Sequence, residues 1–217
     1  MSDHSARTVL RVIHIARIPC ACSRFSVGAR LRVRAGSSPS RCRRSPTEAQ
    51  LLDFVRGTAA DEQLIASLPL DPEGRTWLRL NGPAGSEAWI ISWPPGTGTG
   101  WHDHGGSHGA FATARGELTG QSLAARLPTE GWKTLELADG VDRERQLPAG
   151  RGRAFGPHHV HQVLNETTEE HAVSVHAYYP PLPLMRRYSR TDALLRLEQV
   201  ERIGASPGPK GRGEEWE

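Results

Sequence analysis

The stretch GTGTGWHDHGGSHGAFATARGE, residues 96–117, places His102, His104 and His108 within seven residues, set among glycines. No carboxylate stands between Asp103 and Glu117. Alternate side chains of an extended strand face the same way. His102 and His104 therefore share a face, and Asp103 points to the other. Two imidazoles at that spacing suit one metal ion, although a lone His-X-His also occurs on solvated strand surfaces.

Two later segments give the pair company. GPHHVHQVLN, residues 156–165, supplies His158, His159 and His161. In a small barrel, strands far apart in sequence line one interior, so a third histidine from here completes a three-histidine site with open coordination positions. His159 and His161 share a face, and spacing alone does not choose between them. SVHAYY, residues 174–179, alternates in the same way. Ser174, His176 and Tyr178 face one side, and Val173, Val175 and Ala177 the other. That is either an amphipathic strand with a solvated polar face or a hydrogen-bonded relay buried in a barrel.

The surrounding chain reads as β. After PLDPEGR come short alternating or apolar segments: TWLRLN, EAWIISWP, GWHDH, GAFATAR, ELTGQSLAARL, KTLELA, RERQLPA, RAFGP, HVHQVLN and HAVSVHAYYP. All but HVHQVLN are closed by Gly, Pro or Asp, and short strands with such regular turn signals indicate a sandwich or barrel. YPPLPLMRRY gives one more extended segment, and TDALLRLEQVERI reads as a terminal helix or an irregular end. Two short helices precede the strands. In SPTEAQLLDFV, Ser45 is the expected cap, Pro46 fits the first turn and Glu48 reaches back, while Leu51, Leu52 and Val55 share a face. In ADEQLIASL, Leu64, Ile65 and Leu68 keep the same spacing.

Charge divides the chain. Residues 1–45 hold ten arginines and a single acid, Asp3, a balance of +9. The remainder is net −6, giving the formal +3 of the whole. The basic pI belongs to that arm, so a nucleic-acid reading is not supported. Cys20, Cys22 and Cys42 also lie there, which excludes a disulfide-built main domain and makes the cytoplasm the default compartment. The arm is Arg- and Ser-rich like a transit peptide, yet the expectation is an unstructured extension or upstream translation from a GC-rich genome. No apolar run approaches a membrane span. The expected organisation is a 1–45 extension, a folded domain over 46–203 and a Gly/Pro-rich flexible tail over 204–217.

In their order, these segments resemble the cysteine dioxygenases, thiol dioxygenases on the cupin barrel. GTGTGWHDHGGSHGAFATARG matches the first cupin motif, and LPAGRGRAFGPHHVHQVLN the second, ending His161-X3-Asn165. SVHAY matches the family's Ser-X-His-X-Tyr triad, with Pro180 and Pro181 behind it. The resemblance spans about residues 46–190. It implies an all-β cupin barrel, jelly-roll-like, with short N-terminal helices. It further implies Fe(II) ligation by His102, His104 and His161, a Ser174–His176–Tyr178 relay, and a substrate-binding arginine at Arg79.

Many cupins place a glutamate ligand where this chain has Gly109, and animal members of the family place there a cysteine crosslinked to the tyrosine. The glycine implies a bacterial type with no Cys–Tyr crosslink and a free Tyr178 phenol. Three neutral imidazoles leave the charge of Fe(II) available for a thiolate, an amine and dioxygen. The implied reaction is oxidation of L-cysteine by O2 to cysteine sulfinic acid, within cysteine catabolism and taurine or sulfinate metabolism. Alternatives are a 3-mercaptopropionate or other thiol dioxygenase and a non-catalytic metal-binding cupin sensor. Arg79, where the mercaptopropionate enzymes usually carry glutamine, favours cysteine. The expected partners are these small molecules alone, with no nucleic acid and no membrane, on a monomer. A cis Tyr179–Pro180 bond is compatible with the resemblance.

Overall fold

A computed structural model describes residues 44–125, 127–128 and 131–202. Residues 1–43, which hold the three cysteines of the Arg-rich arm, and the C-terminal tail lie outside the described residues. Helices α1 (Glu48–Ala59) and α2 (Glu62–Ala66) lead into strands β1 (Trp77–Asn81), β2 (Glu87–Trp93), β3 (Trp101–Asp103) and β4 (His108–Arg115). There follow β5 (Glu117–Leu123), β6 (Thr134–Glu136), β7 (Asp142–Pro148), β8 (Gly152–Phe155), β9 (His161–Leu164), β10 (Ala172–Tyr179), β11 (Leu184–Thr191) and β12 (Leu194–Arg202). They form two antiparallel sheets, ordered β1-β2-β10-β4-β8 and β6-β12-β11-β3-β9-β5-β7. The fold is the all-β cupin barrel that the motifs implied.

The first sheet is buried on both faces because its two side-chain sets meet different partners. Ala88, Ile90, Ala110, Ala112, Val173, Val175 and Ala177 form the outer face and pack beneath Leu51, Val55, Ile65 and Leu68 of the helical segment. Trp93, Phe111, Phe155 and Tyr178 face inward, against Leu118, Leu147 and Val163 of the second sheet. Across the inner face one register row runs Arg79–Trp89–His176–Phe111–Arg153, with an arginine at each edge.

Two local expectations are corrected. Helix α1 is capped by Thr47, not Ser45, with Gln50 rather than Glu48 completing the capping box. The Ser45 hydroxyl instead donates to the Tyr179 hydroxyl at 3.0 Å, and His108 Nε2 donates to the Pro46 carbonyl at 2.9 Å. These contacts hold the lead-in extended, so the helix starts two residues later. The segment read as a terminal helix is strand β12. It forms a hairpin with β11 through Asp192, whose φ of 52° suits a tight turn, and it buries Leu195. The Tyr179–Pro180 peptide is cis.

Candidate metal centre

Strand β3 pairs with β9 at a single register position, His102 opposite His161. This pairing brings the two histidine motifs together across 59 residues of sequence. His104, just past the end of β3, completes the group. Ring centroids lie 4.9 Å apart for His102–His104, 4.6 Å for His102–His161 and 5.1 Å for His104–His161. One ligand atom from each falls within 4.8 Å of the others, and all three side chains are buried.

The nitrogens fit a metal ion. His102 Nδ1 donates to the Gly100 carbonyl at 3.0 Å, which fixes the tautomer and leaves Nε2 free as a ligand. Both nitrogens of His104 and Nε2 of His161 are buried with no hydrogen-bond partner. Orphaned buried nitrogens are costly, and a cation shared among three imidazoles would satisfy them. Burial, reinforced by the neighbouring histidines, holds His104 and His161 well below the usual imidazole pKa. Burial also lowers His102 to about 4. At neutral pH all three are therefore unprotonated, the state a metal requires.

Asp103, between His102 and His104, faces away and is equally buried. It accepts from Tyr188 Oη at 2.7 Å, from the Gly105 amide at 2.7 Å and from the Arg186 guanidinium at 3.3 Å. The carboxylate thus anchors the histidine-bearing turn from behind.

The relay read in SVHAY is formed and buried. Trp93 Nε1 donates to Ser174 Oγ at 2.8 Å. Ser174 Oγ lies 2.8 Å from His176 Nε2, and Tyr178 Oη lies 3.2 Å from His176 Nδ1. Burial lowers His176 to about 3 and raises Tyr178 above the usual phenol range, Glu87 adding to the latter. The imidazole is neutral and the phenol keeps its proton. The Tyr178 ring centroid is 4.6 Å from that of His104, so the hydroxyl-bearing ring borders the histidine cluster.

Gly109 pairs across the strands with Tyr178. A Cβ there would come within 2.6 Å of the Ala177 carbonyl and 2.7 Å of the Phe155 ring. The backbone and Phe155 occupy the space a larger residue would need.

Arg79 stands on the inner face but is not free. Its Nη2 lies 3.1 Å from Glu87 Oε1, and its guanidinium stacks over Trp89 at 5.4 Å. The Arg79 side chain is 56% exposed and that of Glu87 only 7%, so Glu87 is the buried member of the pair. Glu87 also pairs across the strands with Tyr178. Sequence reasoning missed Glu87, although a carboxylate opening the apolar run EAWIISW was a visible signal. It also missed Arg153, whose place depends on register. His158 and His159 lie beside the cluster and outside it. His108 is turned toward Pro46, and His171 donates to the Asp71 carbonyl at 3.0 Å.

Solved structures similar to the chain include recombinant oxalate oxidase in complex with glycolate, at 19% identity and a TM-score of 0.38, covering 50% of this chain and 52% of that one. A Cupin 2 conserved barrel domain protein from Salinispora arenicola CNS-205 is 21% identical with a TM-score of 0.35, over 52% and 82%. TT1209 from Thermus thermophilus is 16% identical with a TM-score of 0.40, over 56% and 98%. The chain thus spans about half the length of the oxalate oxidase. No curated protein matches. The family described as cysteine dioxygenase type I matches residues 35–191, a span that takes in both histidine motifs and the relay strand. A match over that share of the chain, with the three imidazoles converging where the motifs put them, means that the chain belongs to the cysteine dioxygenase type I family.

Proposed function

We propose that the protein is a cytoplasmic, monomeric Fe(II)-dependent thiol dioxygenase that oxidises L-cysteine to cysteine sulfinic acid. The observation that carries the reading is the buried three-imidazole cluster with Tyr178 against it. In the overall reaction, R–SH + O2 → R–SO2H, sulfur loses four electrons and the two oxygen atoms of one O2 gain them. No external reductant is needed. Iron, when held by His102, His104 and His161, would supply a Lewis acid for the sulfur and electrons for dioxygen.

The chain's own residues do the rest. Tyr178 keeps its proton, so it serves as a hydrogen-bond donor toward the reacting sulfur and oxygen atoms rather than as a base. If Ser174 donates to His176 Nε2, then His176 Nδ1–H donates to Tyr178 Oη. The phenol hydrogen is thereby released to point into the cavity. Ser174 and His176 are positioning residues in this scheme. Arg79 is proposed to hold the substrate carboxylate, which requires it to leave or share Glu87. Gly109 supports a phenol without a Cys–Tyr crosslink, since its position leaves no space for a cysteine.

Oxygen consumption by protein loaded anaerobically with Fe(II) tests the reading. Cysteine should give uptake well above that of thiols lacking the amine or carboxylate. Higher specificity for 3-mercaptopropionate would move the substrate assignment to that thiol. A zinc-filled, thiol-inert protein would remove the enzymatic reading.

A further inference from the structure

An open cleft of about 590 Å³ lies beside the histidine cluster, lined by the end of β5, by Arg143 of β7, by Arg153 of β8 and by the β8–β9 turn with His158 and His159. Among the described residues, no Asp or Glu lines it. Arg153 enters from the inner face, at the opposite end of the row from Arg79. Its Nη1 donates to Ser122 Oγ at 2.9 Å, and among the described residues no carboxylate comes within ion-pairing distance of it. Burial and the nearby Arg145 both act against its charge. A half-buried guanidinium facing a cavity with one neutral acceptor has donors to spare and a desolvation cost left uncompensated.

Two histidines, His158 and His159, line the same cleft. His159 Nε2 and His158 Nδ1 are buried without partners. His158 is held at φ 59°, a left-handed conformation that non-glycine residues adopt only when their surroundings impose it. Its amide donates to the Gly105 carbonyl, tying the turn to the loop after His104. The cleft also touches the metal centre through its own wall. The His159 ring is 5.1 Å from that of His161, and Ser122 pairs across the strands with His161.

We propose that this cleft is an oxyanion-binding site anchored by Arg153, taking the carboxylate or sulfinate group of small molecules handled at the triad. The function proposed above is its premise only for the choice of molecules. Both groups offer two oxygens sharing one negative charge, which the guanidinium fork matches. Substrate and product are the two sources, and kinetics separates them.

The test titrates the full chain with sodium acetate and with sodium methanesulfinate, against sodium chloride at equal ionic strength. The readout is the Arg153 side-chain Nε–H resonance, identified by its loss in Arg153→Lys. Saturable shifts with the two probes and not with chloride are expected. Arg153→Gln should weaken binding of the probes, followed by calorimetry, about tenfold or more. Shifts that stay linear, or that chloride reproduces, overturn the site, as does undiminished affinity in a folded Arg153→Gln.

In steady-state turnover by Arg153→Lys, a raised KM for cysteine with kcat unchanged assigns the cleft to the substrate carboxylate and takes that role from Arg79. A raised inhibition constant for cysteine sulfinate with KM unchanged assigns it to the product. If neither moves, the link to the triad is wrong. Wild-type protein that binds the probes but oxidises no thiol counts against the dioxygenase reading and leaves the cleft standing.

Discussion

The two faces of β10 are equally buried and chemically opposite. Val173, Val175 and Ala177 press against α1 and the outer core, whereas Ser174, His176 and Tyr178 lie inside the barrel among aromatic rings. The outer face is satisfied by contact alone, which tolerates any apolar side chain of similar volume. The inner face is satisfied by hydrogen bonds at 2.8–3.2 Å running from Trp93 to Tyr178, and each member depends on the next. Burial serves stability on one side of the strand. On the other it removes water from a chain of donors and sets their protonation.

The largest test of this division lies just beyond it. His161→Ala removes one of the three proposed ligands without touching either face of β10. Metal content should fall to background and kcat by at least about 10³-fold, with the far-ultraviolet circular dichroism unchanged. On the inner face, Tyr178→Phe keeps the ring and deletes the donor. Turnover should drop about 10²-fold, while stability in urea shifts by less than about 1 kcal/mol.

The outer face should show the reverse. Val175→Ala is expected to cost about 2 kcal/mol in the same urea experiment and to leave kcat per folded molecule as it was. If it lowered kcat as Tyr178→Phe does, the two faces would not be separable.

Proton linkage gives a smaller difference. His176 stays neutral in the folded state down to about pH 3 but takes a proton near pH 6.5 when unfolded. Between those values the unfolded chain holds the extra proton, so metal-free protein loses stability as the pH falls, by about 1.4 kcal/mol per unit for this residue. Above about pH 6.5 the effect vanishes. His176→Gln should flatten the pH dependence of unfolding by about one proton. The smallest effect is expected at the edge of the row. Glu87→Gln frees Arg79, and the KM for cysteine should fall about threefold if Arg79 takes the carboxylate.

What the sequence disclosed follows from the range of the interaction. Face-sharing along one strand is local geometry, so His102 with His104, and Ser174 with His176 and Tyr178, were legible from alternation. The choice of His161 over His159 was not, because it depends on β9 pairing with β3, and it came from the family resemblance instead. Glu87 holding Arg79, and Arg153 at the far end of the row, likewise depend on which strands become neighbours. The cap of α1 was displaced by a contact between Ser45 and Tyr179, 134 residues apart. LLRLEQV supports helical and strand periodicities alike, and only its pairing with β11 decides the matter.

Asp103 carries a consequence for how metal enters. Its bonds to Tyr188, Arg186 and the Gly105 amide hold the turn between His102 and His104 by protein contacts alone. The ligand geometry is thus preorganised, and binding loses little conformational entropy. Loosening that carboxylate, as in Asp103→Asn, would act at a distance, as a faster off-rate for metal from a site whose three histidines are all intact.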